Sequence, residues 1–275
     1  DSKSSGWEFD LSYDVFRNSD GFNLTVFGNL TTMDYEITGL VQDQFLMNFP
    51  GGQAVHEVGQ EPFTYNLVRY AGVDPANGDA LYLDADGNVT NVYSAQNAVP
   101  IKGKSPLPEI FGGFGLNASY KGFDLSTNFS YSGGNYVYNL TALNAYDFAG
   151  WQNNRLVGSE NYWKQPGDTN VLPRPTVNGL EASTTQFLQD ASYIAWRNLT
   201  IGYTFGDNVL KRTPLESVRF YIQAQGLAIW SNFDGNPEIG DGSTEDDNNV
   251  TIAGSYAAYT YPRVSSFNVG FDINF

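Results

Sequence analysis

The sequence has no cysteine, which excludes disulfides, thiolate catalysis and thiolate metal sites. Its only histidine is His56, so histidine-based triads and zinc sites of ordinary composition are excluded as well. Basic residues are scarce. The 14 Lys and Arg stand against 30 Asp and Glu, and a net charge of −16 repels phosphate backbones, so no nucleic-acid partner is expected. Long apolar runs are missing too: no stretch approaches the ~18 consecutive apolar residues of a membrane-spanning helix. That absence says nothing against membrane strands, which need only about 10 residues with every second one apolar. The chain opens Asp1-Ser2-Lys3 rather than with Met and a signal peptide, and the expectation is a processed chain or, in preference, a fragment.

What fills the sequence instead is aromatic and small polar. Aromatic residues make up 15% and charged residues only 16%, with Ser, Thr, Asn and Gly taking the usual share of Lys and Glu. Good helix formers are too few for a helical bundle, and the aromatics too many for a disordered chain. Pleated strands joined by turns fit this mixture.

Period-two alternation carries the fold. Trp7, Phe9, Leu11, Tyr13 and Val15 share one face, against Glu8, Asp10, Ser12 and Asp14. After the turn Asn18-Ser19-Asp20-Gly21, Phe22, Leu24, Val26 and Leu30 return against Asn23, Thr25, Asn29 and Thr31. A second hairpin sets Phe114, Leu116, Ala118 and Tyr120 beside Phe123, Leu125, Phe129 and Tyr131, with a minimal turn around Lys121. A third places Tyr193, Ala195, Leu199, Ile201, Tyr203 and Phe205 on one face, then Val218, Phe220, Ile222 and Ala224 on the return strand towards Trp230. The last run sets Phe267, Val269, Phe271, Ile273 and Phe275 against Ser266, Asn268, Gly270, Asp272 and Asn274. Seven strands follow, and two more are expected at Phe63–Gly72 and Ala80–Asp84, around the turn Asp74-Pro75-Ala76-Asn77-Gly78.

The links alternate strictly between short (18–21, 121–122, 206–215) and long (most of 35–110, 134–190, 231–264). Outer-membrane barrels have this asymmetry, with short periplasmic turns and long extracellular loops. Tyr and Trp near strand ends, at Trp7, Tyr120, Tyr131, Tyr203 and Trp230, suit an interfacial girdle. A soluble carbohydrate-binding β-sandwich also alternates, but here the apolar residues of most strands are large aromatics and aliphatics and the opposite face is polar almost without exception. The expected class is therefore all-β: a transmembrane antiparallel up-and-down β-barrel, with residues 1–275 supplying 7 to 9 C-terminal strands of one barrel domain. An odd number of up-and-down strands cannot close antiparallel, and the small polar inward side chains cannot fill a narrow barrel. Earlier strands are expected upstream.

Several segments carry a family resemblance. They are Tyr70-Ala-Gly-Val-Asp-Pro-Ala-Asn-Gly78, Gly112-Gly-Phe-Gly115 running into Tyr120-Lys-Gly-Phe-Asp-Leu-Ser126, Trp163 with Pro166-Gly-Asp168, and Pro173-Arg174. Asp190-Ala-Ser-Tyr193, Arg197-Asn-Leu-Thr-Ile-Gly-Tyr203, Ser217-Val-Arg-Phe-Tyr221 and Tyr261-Pro-Arg263 with the final strand continue the series. In this order the chain resembles the C-terminal part of SusC/RagA-like TonB-dependent transporters of Bacteroidetes outer membranes. The resemblance implies a barrel of about 22 strands with an N-terminal plug, a SusD-like surface lipoprotein capping it, and import of glycans or peptides powered through TonB. Plug and TonB contact would lie in a part of the protein not present in this chain. Gln225-Gly226-Leu227 departs from the family's usual Gln-Asn-Leu.

No catalytic residue and no cofactor is expected. The acidic run from Asp234 to Asp247 could supply oxygen ligands to calcium, with Asp234, Glu238 and Asp241 as the candidates, but it lacks the EF-hand spacing and suits a hydrated loop better. Trp151, Tyr162 and Trp163 are either stacking platforms for sugars or packing residues of the long loops. In the last strand Phe267, Val269, Phe271, Ile273 and Phe275 resemble the C-terminal signal read by the barrel-assembly machinery, which would act by strand addition. A chain captured on that machinery as a folding substrate is therefore the alternative to a transporter. The expected location is the outer membrane of a Gram-negative bacterium, in contact with lipid, with the C-terminus periplasmic and the long loops extracellular.

Overall fold

The computed structural model describes residues 1–18, 21–42, 44–149, 154–206, 210–211, 213–238, 256–257 and 263–275. All seven expected strands form, and they lie side by side in one antiparallel sheet in chain order. They are β1 (Ser2–Phe16), β2 (Asn23–Ile37), β3 (Ile110–Tyr120), β4 (Phe123–Gly133), β5 (Tyr193–Phe205), β6 (Ser217–Ser231) and β7 (Ser266–Asn274). The sheet is open, and β1 and β7 each keep one edge unpaired among the described residues. The link from β3 to β4 is two residues long, Lys121 and Gly122, both at positive φ (47° and 87°). That is the type I′ geometry whose twist matches that of the flanking strands.

Register explains why alternation was so legible. One row across all seven strands reads Phe16, Leu24, Ala118, Leu125, Ile201, Ile222 and Val269, every member apolar. The neighbouring row on the other face reads Asp14, Thr25, Asn117, Ser126, Thr200, Gln223 and Asn268, every member polar. A slip of one residue in any strand would exchange its faces, so two solvents of opposite character fix the register.

Two bulges correct the expected alternation. The register shifts between Asp14 and Phe16, so Phe16 takes the apolar-row position and Val15 falls in the irregularity. In β5 a second shift between Trp196 and Asn198 leaves Arg197 opposite no single residue, with Gly226 and Leu227 facing it on β6. Beyond this bulge the faces exchange. Ile194 and Trp196, rather than Tyr193 and Ala195, share the face of Leu199, Ile201 and Tyr203. Gly226 has φ +64, a conformation that glycine and, next best, asparagine accept. Gly and the Asn usual in the family thus meet the same backbone demand.

The long links are themselves folded. The two additional expected strands appear as Thr64–Val68, Tyr70–Val73 and Ala80–Leu83, but in small separate sheets rather than in the seven-stranded one. Thr64–Val68 lies in a four-stranded sheet with Gln44–Phe49, Gly52–Glu57 and Ala98–Pro100. Tyr136–Asn139 pairs with Leu188–Asp190 and Tyr256–Ala257 and leads into a helix, α1 (Leu140–Tyr146). A shared core of Phe49, Tyr65, Leu67, Tyr138, Leu143 and Phe187 joins the links across more than a hundred residues of sequence. Tyr65 donates to the Tyr136 carbonyl at 2.9 Å and Val68 N–H to that of Ser183 at 2.9 Å. Asn139, 1% exposed, caps α1 at Ala142 N–H and donates through Nδ2 to Gln189 Oε1 and the Asp234 carbonyl. One buried amide therefore ties three parts of the chain together.

Candidate functional site: the polar face of the sheet

The sheet's polar face is a wall of amides and hydroxyls with an ion cluster towards each end. Its middle rows combine Asn117, Ser126, Thr200, Gln223 and Asn268 with Asn128, Asn198 and Gln225. Such groups both donate and accept, so they hydrogen-bond a passing polar chain without committing to one charge.

Towards the short-turn end, Arg219 on β6 bridges three strands. Its guanidinium binds Asp124 on β4 bidentately, at 2.9 and 2.6 Å, and reaches Asp272 on β7 at 3.0 Å. Reaching β4 means crossing β5, and the residue crossed is Gly202, paired with Asp124 on one side and Tyr221 on the other. A Cβ at Gly202 would lie 2.5 Å from Asp124 Oδ1 and 2.7 Å from Arg219 Nε. Glycine here is a passage for an ion pair, not a turn.

At the opposite end the β5 bulge aims Arg197 onto the same face, where Nε donates to Ser130 Oγ at 2.6 Å. The same guanidinium pairs with Glu238, whose other oxygen takes Arg263 at 2.6 Å. Glu238 is only 14% exposed, so the link after β6 is anchored over the wall by a carboxylate between two guanidiniums. The sequence reading missed Arg197, Arg219, Asp124, Asp272 and Gly202 as site residues. The signal for the two arginines was a rare basic residue at a polar-side position of a strand, in a chain rich in carboxylates to pair with it.

The residues singled out from sequence are placed as follows. Asp234 hydrogen-bonds Gln189 through its N–H (3.0 Å) and its carboxylate (3.2 Å), Glu238 lies between its arginines, and Asp241 falls outside the described residues. A calcium ion at Glu238 would have to displace two guanidiniums. Among the described residues no group of three or more His, Asp or Glu converges on a metal position. His56 packs between the rings of Phe45 and Phe63, and burial lowers its pKa from 6.5. Trp163 covers Gly78 and donates to the Pro75 carbonyl at 3.2 Å, while Arg174 pairs with Asp79 at 2.7 Å and holds that carboxyl below its usual range. Three sequence-distant segments of the family resemblance thus meet in one cluster, and Trp163 is used in packing it. Tyr162 meets Phe148 edge-on; Trp151 falls outside the described residues. In β7, Phe267, Val269, Phe271 and Ile273 stand exposed on the apolar face, Phe271 at 64%.

A sheet whose one face carries a row polar across all seven strands, with large exposed side chains on the other face, is the wall of a transmembrane antiparallel β-barrel, here not closed on itself. No protein-family model matches the chain. Among curated proteins it is 28% identical over 246 residues to the TonB-dependent receptor P3 of Formosa agariphila, covering 88% of this chain and 22% of that receptor. It is 26% identical over 230 residues to the TonB-dependent receptor SusC of Bacteroides thetaiotaomicron, covering 80% of this chain and 20% of SusC. Among solved structures, that of the RagAB peptide transporter superposes on the whole chain with a TM-score of 0.85 at 25% identity, the chain covering 29% of it. The chain is thus similar to SusC-like TonB-dependent receptors in sequence and to the RagAB transporter in fold, and it spans less than a third of the length of these relatives.

Proposed function

We propose that these 275 residues are the C-terminal wall and outer loops of an outer-membrane importer. The polar face would line the solute path, and the folded links would form part of its extracellular mouth. The observation that carries this is the pair of adjacent rows, one wholly polar and one wholly apolar, running across seven strands in register. Plug, TonB contact and the remaining strands belong to sequence beyond this chain, as its share of its relatives' length suggests. Relatives include SusC and a peptide transporter, so the cargo is a glycan or a peptide, handled with a SusD-like lipoprotein seated on the folded links. During biogenesis the free edge of β7 and its row Phe267 to Phe275 serve as the strand-addition signal for barrel assembly.

Orientation is directly testable: these 275 residues hold no cysteine, and any cysteine elsewhere in the full-length protein is first replaced by serine. In whole cells carrying the full-length protein, a membrane-impermeant maleimide should label Val177→Cys, in a long link, and should spare Gly206→Cys, at a short one, until the cells are lysed. The reverse pattern overturns the topology. Cargo is read separately, by growth of a deletion strain on peptides or on polysaccharides, and the lipoprotein partner by its copurification with the full-length protein.

A further inference from the structure

The apolar face is a band of projecting side chains with a smaller hollow beside Phe22 and Phe123, and near the long-link end it opens into a groove of about 740 Å³ between β3 and β6. Ile110 and Phe114 form one wall, Ile194 and Trp230 the other. Tyr131 and Gly133 lie between them on β4, and a Cβ at Gly133 would come within 3.0 Å of Ile110 Cγ2, so glycine lets Ile110 lie close over β4. These four strands are the third to sixth of seven, so each already has both its neighbours and the groove is no artefact of an open edge. The volume falls within the ~300–1,000 Å³ of ordinary ligand sites.

We infer that this groove holds one acyl chain of a membrane lipid as a specific, slowly exchanging site. The inference concerns the outer wall and rests only on the apolar face meeting lipid, not on what the polar face carries. The groove is continuous with that lipid-facing band, so acyl chains are what reaches it. In β6 the apolar-face residues run from Val218 to Trp230, which at ~3.3 Å per residue and a tilt of about 40° gives a height of roughly 30 Å. Trp230 therefore stands at the level of one headgroup boundary, and the groove opens there beside Ser132 and Asn232. No Lys or Arg lines it, so selection acts on the chain and on neutral hydrogen-bonding groups near the head rather than on phosphate.

The driving force differs from that of a soluble pocket. Neighbouring lipid is as apolar as the groove, so water exclusion adds nothing between the two. A chain lying in the concavity touches protein on three sides instead of one, and a chain passing over it would leave a void whose lining lost those contacts. Dispersion and shape thus favour one seated chain over the fluid layer around it.

The test uses the full-length protein, purified in detergent, stripped of loosely held lipid and supplied with lipopolysaccharide, the acyl-chain lipid of the leaflet that the long links would face, with bound lipid counted by native mass spectrometry. Ile194→Trp fills the groove, and Leu11→Trp places the same indole on the apolar face of β1, away from the groove. The expectation is one retained lipopolysaccharide per chain, lowered at least about threefold by Ile194→Trp and unchanged by Leu11→Trp. Each variant must first show the fast migration of a folded barrel on an unheated gel, and if Ile194→Trp fails to fold, Ile110→Trp on the opposite wall replaces it. Equal retention in the two variants would mean a general lipid layer only, and loss of a dimer instead of a lipid would mean that a second copy occupies the groove; either result overturns the inference.

Discussion

The seven-stranded sheet and the folded links above it use apolar side chains in opposite ways. In the sheet the large residues stand out from the molecule, Trp7 at 72% exposure, while in the links Tyr65, Leu67 and Tyr138 are wholly buried. The sheet has no core of its own: its apolar side chains stand exposed and its backbone is satisfied strand by strand. The links have a water-excluding core of the ordinary kind, assembled from segments that begin near residue 47 and end near 256. One chain therefore obeys two solvents, and a substitution should have consequences set by the region it falls in.

The largest expected effect is in the links. Leu67→Ala leaves a cavity in the shared core and should cost the link body about 2–5 kcal/mol. Limited proteolysis of the reconstituted protein should then cut within residues 38–109 or 134–192, while the heat-modifiable gel mobility of the barrel is kept. Simultaneous loss of both would mean that the two regions are a single cooperative unit.

Next comes a matched pair within the sheet. Ile222→Arg puts a charge on the lipid side near mid-strand and should cost about 2–4 kcal/mol in refolding titrations into vesicles. Gln223→Arg, one residue along and on the polar face, should stay within about 0.5 kcal/mol. Equal costs would end the assignment of faces. Slightly smaller is Gly202→Ala. Its methyl group intrudes between Asp124 and Arg219, and an overpacked contact of this kind costs about 1–3 kcal/mol, readable in the same titration.

The same contrast explains what the sequence disclosed. Each strand of the sheet meets a uniform medium on either side, so its pattern is complete within ten or so residues, and all seven strands could be read without knowing their neighbours. The bulges at Val15 and Arg197 could not, because an extra residue is recognised only against the partner strand. In the links, the pattern over Phe63–Gly72 reads as one strand, but Thr64–Val68 and Tyr70–Val73 enter different sheets on either side of Arg69. Their faces are set by contacts as remote as Tyr138 and Phe187. On the polar face, the Arg219 bridge depended on the register of β4, β5 and β6 together, which no single segment carries.

The smallest expected effect separates the regions by pH. His56 lies in the links, its ring between Phe45 and Phe63, and its Nε2 has no hydrogen-bond partner among the described residues. Burial lowers its pKa below 6.5 in the folded state, so below that pH the unfolded links take up the proton first. The stability that comes from keeping His56 neutral is therefore present above pH 6.5 and is lost as pH falls through the interval between 6.5 and the lowered value. The Arg174-bound carboxyl of Asp79 shifts the same way, but from 3.8, so its loss begins only in far more acidic solution. His56→Phe keeps the packing and removes the titration. In chemical denaturation of the links followed by proteolysis, the parent should weaken on going from neutral to mildly acidic solution and the variant should not, while the vesicle-embedded sheet remains unchanged in both. A parent that showed no weakening, or a variant that weakened equally, would mean that the first acid-sensitive group lies elsewhere than His56.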